Sequence, residues 1–181
     1  FLQPVLFLLA MGFGLGALVD RGQAALPGDV PYLVFLGPGL LASSCMQTGS
    51  FESAFPILGK MTWRRNYEAM VATPLGVPSI VLGELAWVGL RLTMVATAFA
   101  VVLTLFGATR SVLLAAAVPA AVLTGLAFSA PMMAYAATLR QGGNFNVVFR
   151  FIITPLFLFS GVFFPVTRLP PLLQAVAAWT P

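Results

Sequence analysis

Long apolar stretches separated by short polar loops form the main pattern of the chain. A helix crosses the hydrocarbon core of a bilayer with about 20 apolar residues, because all its backbone groups are satisfied within the helix. The pattern predicts five such helices, with approximate bounds 1–19, 32–55, 79–106, 111–139 and 151–164. The tail at 165–181 is apolar but short and rich in proline, which predicts a re-entrant or interfacial segment. The predicted fold class is all-α, a polytopic helical membrane protein with a single transmembrane domain.

The second predicted span is polar in its second half, where it carries Gln47, Thr48 and Glu52. Polar and ionisable side chains inside a membrane face other helices or water rather than lipid. These three residues are therefore candidates for lining a translocation path or a helix interface.

Two charged residues, Glu84 and Arg91, interrupt the third predicted span. If the span enters the bilayer at Ser79, Arg91 lies about 18 Å deep, where a charge costs at least about 2.5 kcal/mol. Seven residues separate the two charges by roughly 10 Å along one helix face, which is too far for a direct pair. Two interpretations stay open: each charge anchors to a neighbouring helix or subunit, or both line a transport path.

The polar loop at 59–78 contains a segment, 61–70, that predicts a short amphipathic helix. Trp63, Tyr67 and Met70 recur at helical spacing, and charged residues occupy the other faces. These charged residues are Arg64, Arg65 and Glu68. Such a helix rests on lipid headgroups or docks into a cytoplasmic partner.

Composition supports a membrane protein and argues against chemistry on this chain. Sixty per cent of the residues are hydrophobic and only 8% are charged, against about 25% charged in soluble domains. The chain has one cysteine and no histidine, which excludes an internal disulfide and a Cys/His metal site. It has no P-loop motif and no nucleophile–base arrangement. We therefore predict that it is not an enzyme and binds no cofactor itself.

The basic residues carry information about orientation. The net charge is +4, and the basic residues lie mostly between apolar spans, so they indicate topology rather than a nucleic-acid partner. Five of them fall in the loops at 59–78 and 139–150, namely Lys60, Arg64, Arg65, Arg140 and Arg150. Three fall in the other loops and the tail, namely Arg21, Arg110 and Arg168. This bias places the first two loops in the cytoplasm.

Three stretches of the chain resemble a known family. They are 63–74, ending in Glu-Ala-Met-Val-Ala-Thr-Pro; 83–87, Gly-Glu-Leu-Ala-Trp, followed by Arg91; and 159–165, Phe-Ser-Gly-Val-Phe-Phe-Pro, followed by Arg168-Leu169-Pro170. Together they resemble the type-2 ATP-binding-cassette export permeases, in particular the branch of the nodulation lipo-oligosaccharide and antibiotic-resistance exporters.

The resemblance implies an architecture and partners. Such permeases have six spans and a leading amphipathic helix, so we expect one more span and that helix outside residues 1–181. Two copies pair, as a homodimer here, in the bacterial inner membrane. Each copy docks a cytoplasmic ATPase subunit that holds ATP and Mg²⁺. The substrate is amphipathic: a lipid-linked saccharide, a glycolipid or a hydrophobic drug.

The resemblance also implies roles for particular residues. The segment 61–70 corresponds to the coupling helix that contacts the ATPase, through Trp63, Arg64, Arg65, Tyr67 and Glu68. The segment after Phe164 corresponds to the outer re-entrant segment. Its motif is Gly161, Pro165, Arg168 and Pro170.

Two other functions stay open from the residues alone. In a secondary transporter driven by an ion gradient, Glu52 and Glu84 would carry protons, but inverted repeats are expected there and none is evident. An intramembrane enzyme is disfavoured by the lack of a nucleophile–base pair. A neighbouring ATPase gene would favour the pump. The identity of the substrate stays open, because fold does not fix function.

Overall fold

The computed structural model describes residues 32–105, 107, 113–139 and 145–159, together with the single positions 6, 10, 162 and 174. Regular secondary structure in these ranges is helical throughout. The predicted first span at 1–19 and the predicted re-entrant segment at 165–181 lie outside the described residues, apart from three single positions. The four residues of the predicted re-entrant motif, Gly161, Pro165, Arg168 and Pro170, also lie outside the described residues.

Helix α1 spans Tyr32–Thr62 and is seven residues longer than the predicted 32–55. The prediction ended the span too early, because α1 continues through Pro56 and buries Ile57 and Leu58 against the rest of the protein. Helices in membrane proteins tolerate an internal proline when neighbouring groups satisfy the freed carbonyl. The helix ends where the amides of Trp63 and Arg64 both donate to the Gly59 carbonyl.

The predicted amphipathic helix over 61–70 was wrong as a single element. Arg65 has a left-handed backbone conformation with φ 48°. This conformation interrupts the helical path between α1 and a short second helix, α2, at Asn66–Val71. A positive φ is uncommon for arginine because it is sterically costly. The pattern of apolar and polar side chains therefore gives no indication of a helix break at this residue. Tyr67 and Met70 therefore belong to α2, whereas Trp63 lies in the turn before it.

Helices α3 (Val77–Leu105) and α4 (Leu113–Thr138) agree with the predicted third and fourth spans to within two residues. Among the described helices, these two are long and apolar enough to cross a membrane. Most of their surface is exposed rather than buried inside the protein. Gly107, with φ 68°, donates its amide to Thr104 and turns the chain after α3.

The last described helix begins earlier than predicted. It comprises α5 (Phe145–Val148), a π-helical turn (Phe149–Ile153) and α6 (Thr154–Phe159), whereas the sequence predicted a start at 151. The physical reason is tertiary: Phe145 is fully buried against Phe55 and Tyr135, which fixes the helix start in the core. Arg150 consequently lies within the helix and not in a loop.

Helix α1 packs against both α3 and α4 and occupies the middle of the described bundle. One apolar cluster, around Leu41, Cys45 and Leu92, joins α1 to α3 and α4. A second cluster, around Ile57, Met133 and Phe145, joins the other end of α1 to α4 and α5. The most polar helix is thus the inner one, and the apolar helices surround it.

Two glycines permit the closest approach of α1 and α4. A Cβ at Gly49 would lie 2.6 Å from the Gly125 carbonyl oxygen, and one at Gly125 would lie 2.8 Å from the Cys45 carbonyl oxygen. Cys45 and Gly49 are four residues apart on α1, as are Gly125 and Ser129 on α4. This is the small-residue spacing that allows helix backbones to pack closely in membranes.

Candidate functional site

Glu84 is the centre of a polar cluster at the end of the bundle where α1 ends and α3 begins. The Lys60 ammonium donates to both carboxylate oxygens at 2.7 Å. The Tyr67 hydroxyl donates to Oε1 at 2.8 Å. The Glu84 side chain is only 13% exposed. One carboxylate therefore joins three elements: α1 through Lys60, α2 through Tyr67, and α3 through its own backbone.

Tyr67 supports this cluster as a neutral donor. Burial raises the pKa of Tyr67 well above its usual range, and the hydrogen bond to Glu84 and the negative charge of Glu84 raise it further. A raised pKa means that the neutral phenol contributes stability below its unfolded value of about 10. That contribution is lost only as the pH rises through the still higher folded pKa. The hydrogen bond is therefore retained at physiological pH.

A second ion pair lies two turns further along α3. The Arg91 guanidinium donates to Glu52 at 2.9 Å, which again links α3 to α1. Of the two interpretations left open for Glu84 and Arg91, the geometry agrees with anchoring to a neighbouring helix. The sequence did not indicate the partners, because Lys60 and Glu52 are 24 and 39 residues away along the chain.

The two ion pairs have opposite polarity, in the sense that α1 supplies the base of one pair and the acid of the other. On α1 the order along the chain is acid then base, Glu52 then Lys60, and on α3 it is again acid then base, Glu84 then Arg91. Because the helices run antiparallel, each acid meets a base. A slide of about two turns would instead place like charges together, which is destabilising. The pairs therefore fix the register of α1 against α3.

The predicted coupling residues separate into two groups. Trp63 is 88% exposed, and Arg64 is exposed as well. Arg65 and Glu68 form only a long, solvent-exposed contact of 4.0 Å. Tyr67 points inward to Glu84. The structure therefore joins Tyr67 to the polar cluster and leaves the other four side chains available at the surface.

The polar face of α1 carries aromatic residues that the sequence analysis missed. Gln47 and Thr48 are half-buried on this helix. Phe51 follows Gln47 by one turn and is 52% exposed. Phe51 contacts Phe55 at a ring-centroid distance of 5.3 Å, and Phe55 stacks on Phe149 at 6.2 Å. The spacing of Phe51 and Phe55, four residues apart in a polar stretch, was a signal that could have revealed this surface.

Phe149 begins the π-helical turn of the last helix. There the Thr154 amide and hydroxyl both bond to the Phe149 carbonyl, five residues earlier, and the hydroxyl distance is 2.8 Å. Single π-helical turns occur frequently at functional sites. The candidate path residues Gln47, Thr48 and Glu52 thus border an aromatic surface that ends on an irregular helix.

The described part of the chain holds no group of three or more His, Cys, Asp or Glu residues that could bind a metal. Its conspicuous polar chemistry consists of the two ion pairs and the Tyr67 hydrogen bond. This arrangement can hold helices in register and pass a displacement between them.

Comparison with known proteins identifies the family. A family described as "ABC-2 type transporter" matches residues 1–181. Nodulation protein J of Rhizobium leguminosarum bv. viciae is 35% identical over 179 residues, covering 99% of this chain and 67% of the relative. Nodulation protein J of Rhizobium meliloti is also 35% identical, with 99% and 66% covered. That of Bradyrhizobium diazoefficiens is 29% identical, again with 99% and 66% covered.

The chain spans about two thirds of the length of these relatives. No solved structure matches it. The family match covers every residue of the chain, and the apolar helices α3 and α4 agree with an integral membrane protein. The chain therefore belongs to the ABC-2 type transporter family, whose members are the non-catalytic membrane permease components of transporters.

Proposed function

We propose that this chain is the membrane-spanning permease subunit of an ATP-driven exporter in the bacterial inner membrane. It moves an amphipathic substrate, such as a lipid-linked saccharide, a glycolipid or a hydrophobic drug, out of the cytoplasm or the inner leaflet. Two copies form a homodimer, and ATP and Mg²⁺ are held by a separate ATPase subunit. The observation that carries the proposal is the family match over all 181 residues.

The exposed turn around Trp63, Arg64 and Arg65 is the proposed contact with the ATPase. Glu68, exposed on α2, belongs to the same surface. When ATP closes the ATPase subunits, this surface moves with them. Tyr67 passes the displacement to Glu84, which belongs to α3 and also accepts hydrogen bonds from Lys60 of α1. The permease dimer then changes between inward-open and outward-open states.

The substrate route follows the polar and aromatic face of α1. Gln47, Thr48 and Glu52 supply polar contacts, and Phe51 supplies an exposed ring one turn from Gln47. A substrate with both polar and apolar parts matches this mixture. On the outer side, the motif of Gly161, Pro165, Arg168 and Pro170 forms the re-entrant segment in this proposal.

The ion pairs favour the pump over a proton-driven transporter. Glu52 and Glu84 are the acids that would carry protons, and each is bonded to a cation, Arg91 and Lys60 respectively. Protonation would break a pair that fixes the α1–α3 register. Export by the full-length permease and its ATPase in reconstituted vesicles should therefore stop with vanadate and continue when ion gradients are collapsed. The reverse result would favour the secondary transporter.

Charge reversal at the exposed turn tests the coupling. We expect Arg64→Glu with Arg65→Glu to lower export at least about tenfold while ATP hydrolysis continues, because the reversed charges no longer complement the ATPase surface that the arginines contact in this proposal. Both rates are measured on the same reconstituted complex. The matched control, Arg64→Lys with Arg65→Lys, keeps the charge and should retain most of the export. Full export by the reversed variant would refute the coupling assignment.

A further inference from the structure

An open groove of about 310 Å³ lies between the end of α1, helix α2 and the beginning of α3. Its polar lining consists of the Lys60–Glu84 pair and Ser79, and the rest of the lining is mostly apolar, with Met70 and Trp87. Leu75 and Ile80 complete the apolar walls. The volume is at the low end for ligand pockets, which suits a headgroup rather than a whole lipid or drug.

Gly83 leaves the middle of the groove open. A Cβ built at Gly83 would meet no atom of the described residues within 4 Å, so none of their side chains fills the space above this backbone. This differs from Gly49 and Gly125, where a Cβ would collide with the backbone of the neighbouring helix. Among the described residues, close helix packing therefore does not require glycine at position 83.

The groove continues into an apolar stripe along α3. Gly83, Trp87, Leu90 and Met94 recur at intervals of three or four residues, which places them on one helix face. All four are exposed. From Gly83 to Met94 the stripe is about 16 Å long. Half of the hydrocarbon core of a bilayer is about 15 Å thick, so the stripe matches one leaflet.

Lys60 and Ser79 supply the hydrogen-bond donors of the groove. The Lys60 ammonium has three N–H donors, and two directions are taken by the Glu84 oxygens. The side chain is still partly exposed, so one donor remains for another acceptor. Ser79 faces the groove, and its hydroxyl has no partner among the residues that the structure describes. Both donors suit a phosphate oxygen.

We infer that this groove binds one phospholipid of the cytoplasmic leaflet. The phosphate accepts hydrogen bonds from Lys60 and Ser79, the glycerol region lies over Gly83, and an acyl chain follows Trp87, Leu90 and Met94. A lipid there would contact Lys60, the side chain through which α1 is bonded to Glu84 of α3. This inference requires membrane insertion but not ATP-driven export.

Photo-crosslinking tests the site directly. The full-length permease is placed in nanodiscs that contain phosphatidylglycerol with a diazirine next to the phosphate. After irradiation, labelled peptides are mapped by mass spectrometry. We expect label concentrated in the segment 75–87 of the wild-type protein. Gly83→Trp fills the groove and should lower this label about fivefold or more. Leu82→Trp adds the same ring at an exposed neighbouring position outside the groove and should leave it unchanged.

Ser79→Leu provides a second variant, because it removes the hydroxyl at a different exposed position and should also lower the label. Label distributed evenly along α3 and insensitive to both groove variants would overturn the inference, since it would indicate ordinary surrounding lipid. A shift of the dimer to monomer on Gly83→Trp, without any change in label, would assign the groove to a second copy and also overturn it. The crosslinking experiment contains no ATP. Its outcome therefore does not depend on whether export proves to be sensitive to vanadate.

Discussion

At the scale of single residues, Glu84 carries more structural connections than any other charge described above. Its carboxylate accepts hydrogen bonds from Lys60 and Tyr67, and its side chain is largely buried. Removing one partner of a buried ion pair leaves the other charge uncompensated, which costs more than the pair itself contributes. The Glu84 cluster should therefore be sensitive to changes that keep its shape but remove its charge.

We expect Glu84→Gln to lower the free energy of unfolding by about 1–3 kcal/mol, because Lys60 loses its counterion in a partly buried site. Tyr67→Phe, which removes one hydrogen bond, should cost about 1 kcal/mol. Thermal unfolding of the purified permease in one detergent compares these variants. Glu68→Gln is the control, since its carboxylate is exposed and should change stability by less than about 0.5 kcal/mol. Equal effects of Glu84→Gln and Glu68→Gln would contradict a structural role for the cluster.

The cost of placing a charge in an apolar span made Glu84 and Arg91 identifiable from the sequence. Their partners were not identifiable, because pairing with Lys60 and Glu52 is decided by how α1 and α3 meet in space. The aromatic surface of Phe51 and Phe55 was not predicted, because their four-residue spacing lies within a stretch dominated by polar residues.

At the scale of helices, apolar continuity predicted α3 and α4 well. The end of α1 and the start of α5 were predicted poorly, because the first depends on burial of Ile57 and Leu58 and the second on burial of Phe145 against other helices. Neither cause is present in the local pattern of apolar and polar residues. The same limit applies to the register of α1 and α3, which the two ion pairs of opposite polarity set.

The register can be tested by exchanging the Glu52–Arg91 pair. Arg91→Glu alone should sharply reduce the amount of folded permease, because two carboxylates would meet where the bonded atoms are now 2.9 Å apart. Adding Glu52→Arg restores an opposite-charge pair and should recover most of the folded protein. The yield of monodisperse permease is measured by size-exclusion chromatography. A double variant no better than the sum of the single variants would show that the pair does not couple the helices.

At the crossing of α1 and α4, the predicted effect of a Gly→Ala substitution on stability is opposite to the effect expected from helix propensity. Alanine normally stabilises a helix relative to glycine by about 1 kcal/mol. Gly125→Ala should instead destabilise the permease by about 1–3 kcal/mol, because its Cβ would approach the Cys45 carbonyl oxygen to 2.8 Å. Gly89→Ala is the matched control in α3, where the nearest atoms lie at 3.7 Å. Opposite signs for the two variants in thermal unfolding would confirm the close crossing, and equal signs would refute it.

At the scale of the whole molecule, the described helices are arranged with the polar one inside. Lipid-facing surfaces need no charge, so the exposed faces of α3 and α4 are apolar, while the charges of α3 turn towards α1. The composition indicated a membrane protein for the same reason. The orientation of the bundle is predicted from the basic loops, and it decides which end would meet the proposed ATPase.

Two positions, one in the turn after α1 and one at the end of α3, test the orientation. Trp63, in the turn before α2, and Leu105, at the last turn of α3, are both strongly exposed. Native Cys45 is fully buried and should not react with a maleimide. In intact spheroplasts, a membrane-impermeant maleimide should therefore label the Leu105→Cys variant and spare the Trp63→Cys variant, which reacts only after the membrane is opened. The reverse pattern would place Arg64 and Arg65 outside the cell. It would exclude their contact with a cytoplasmic ATPase and move the Lys60–Glu84 groove to the outer leaflet.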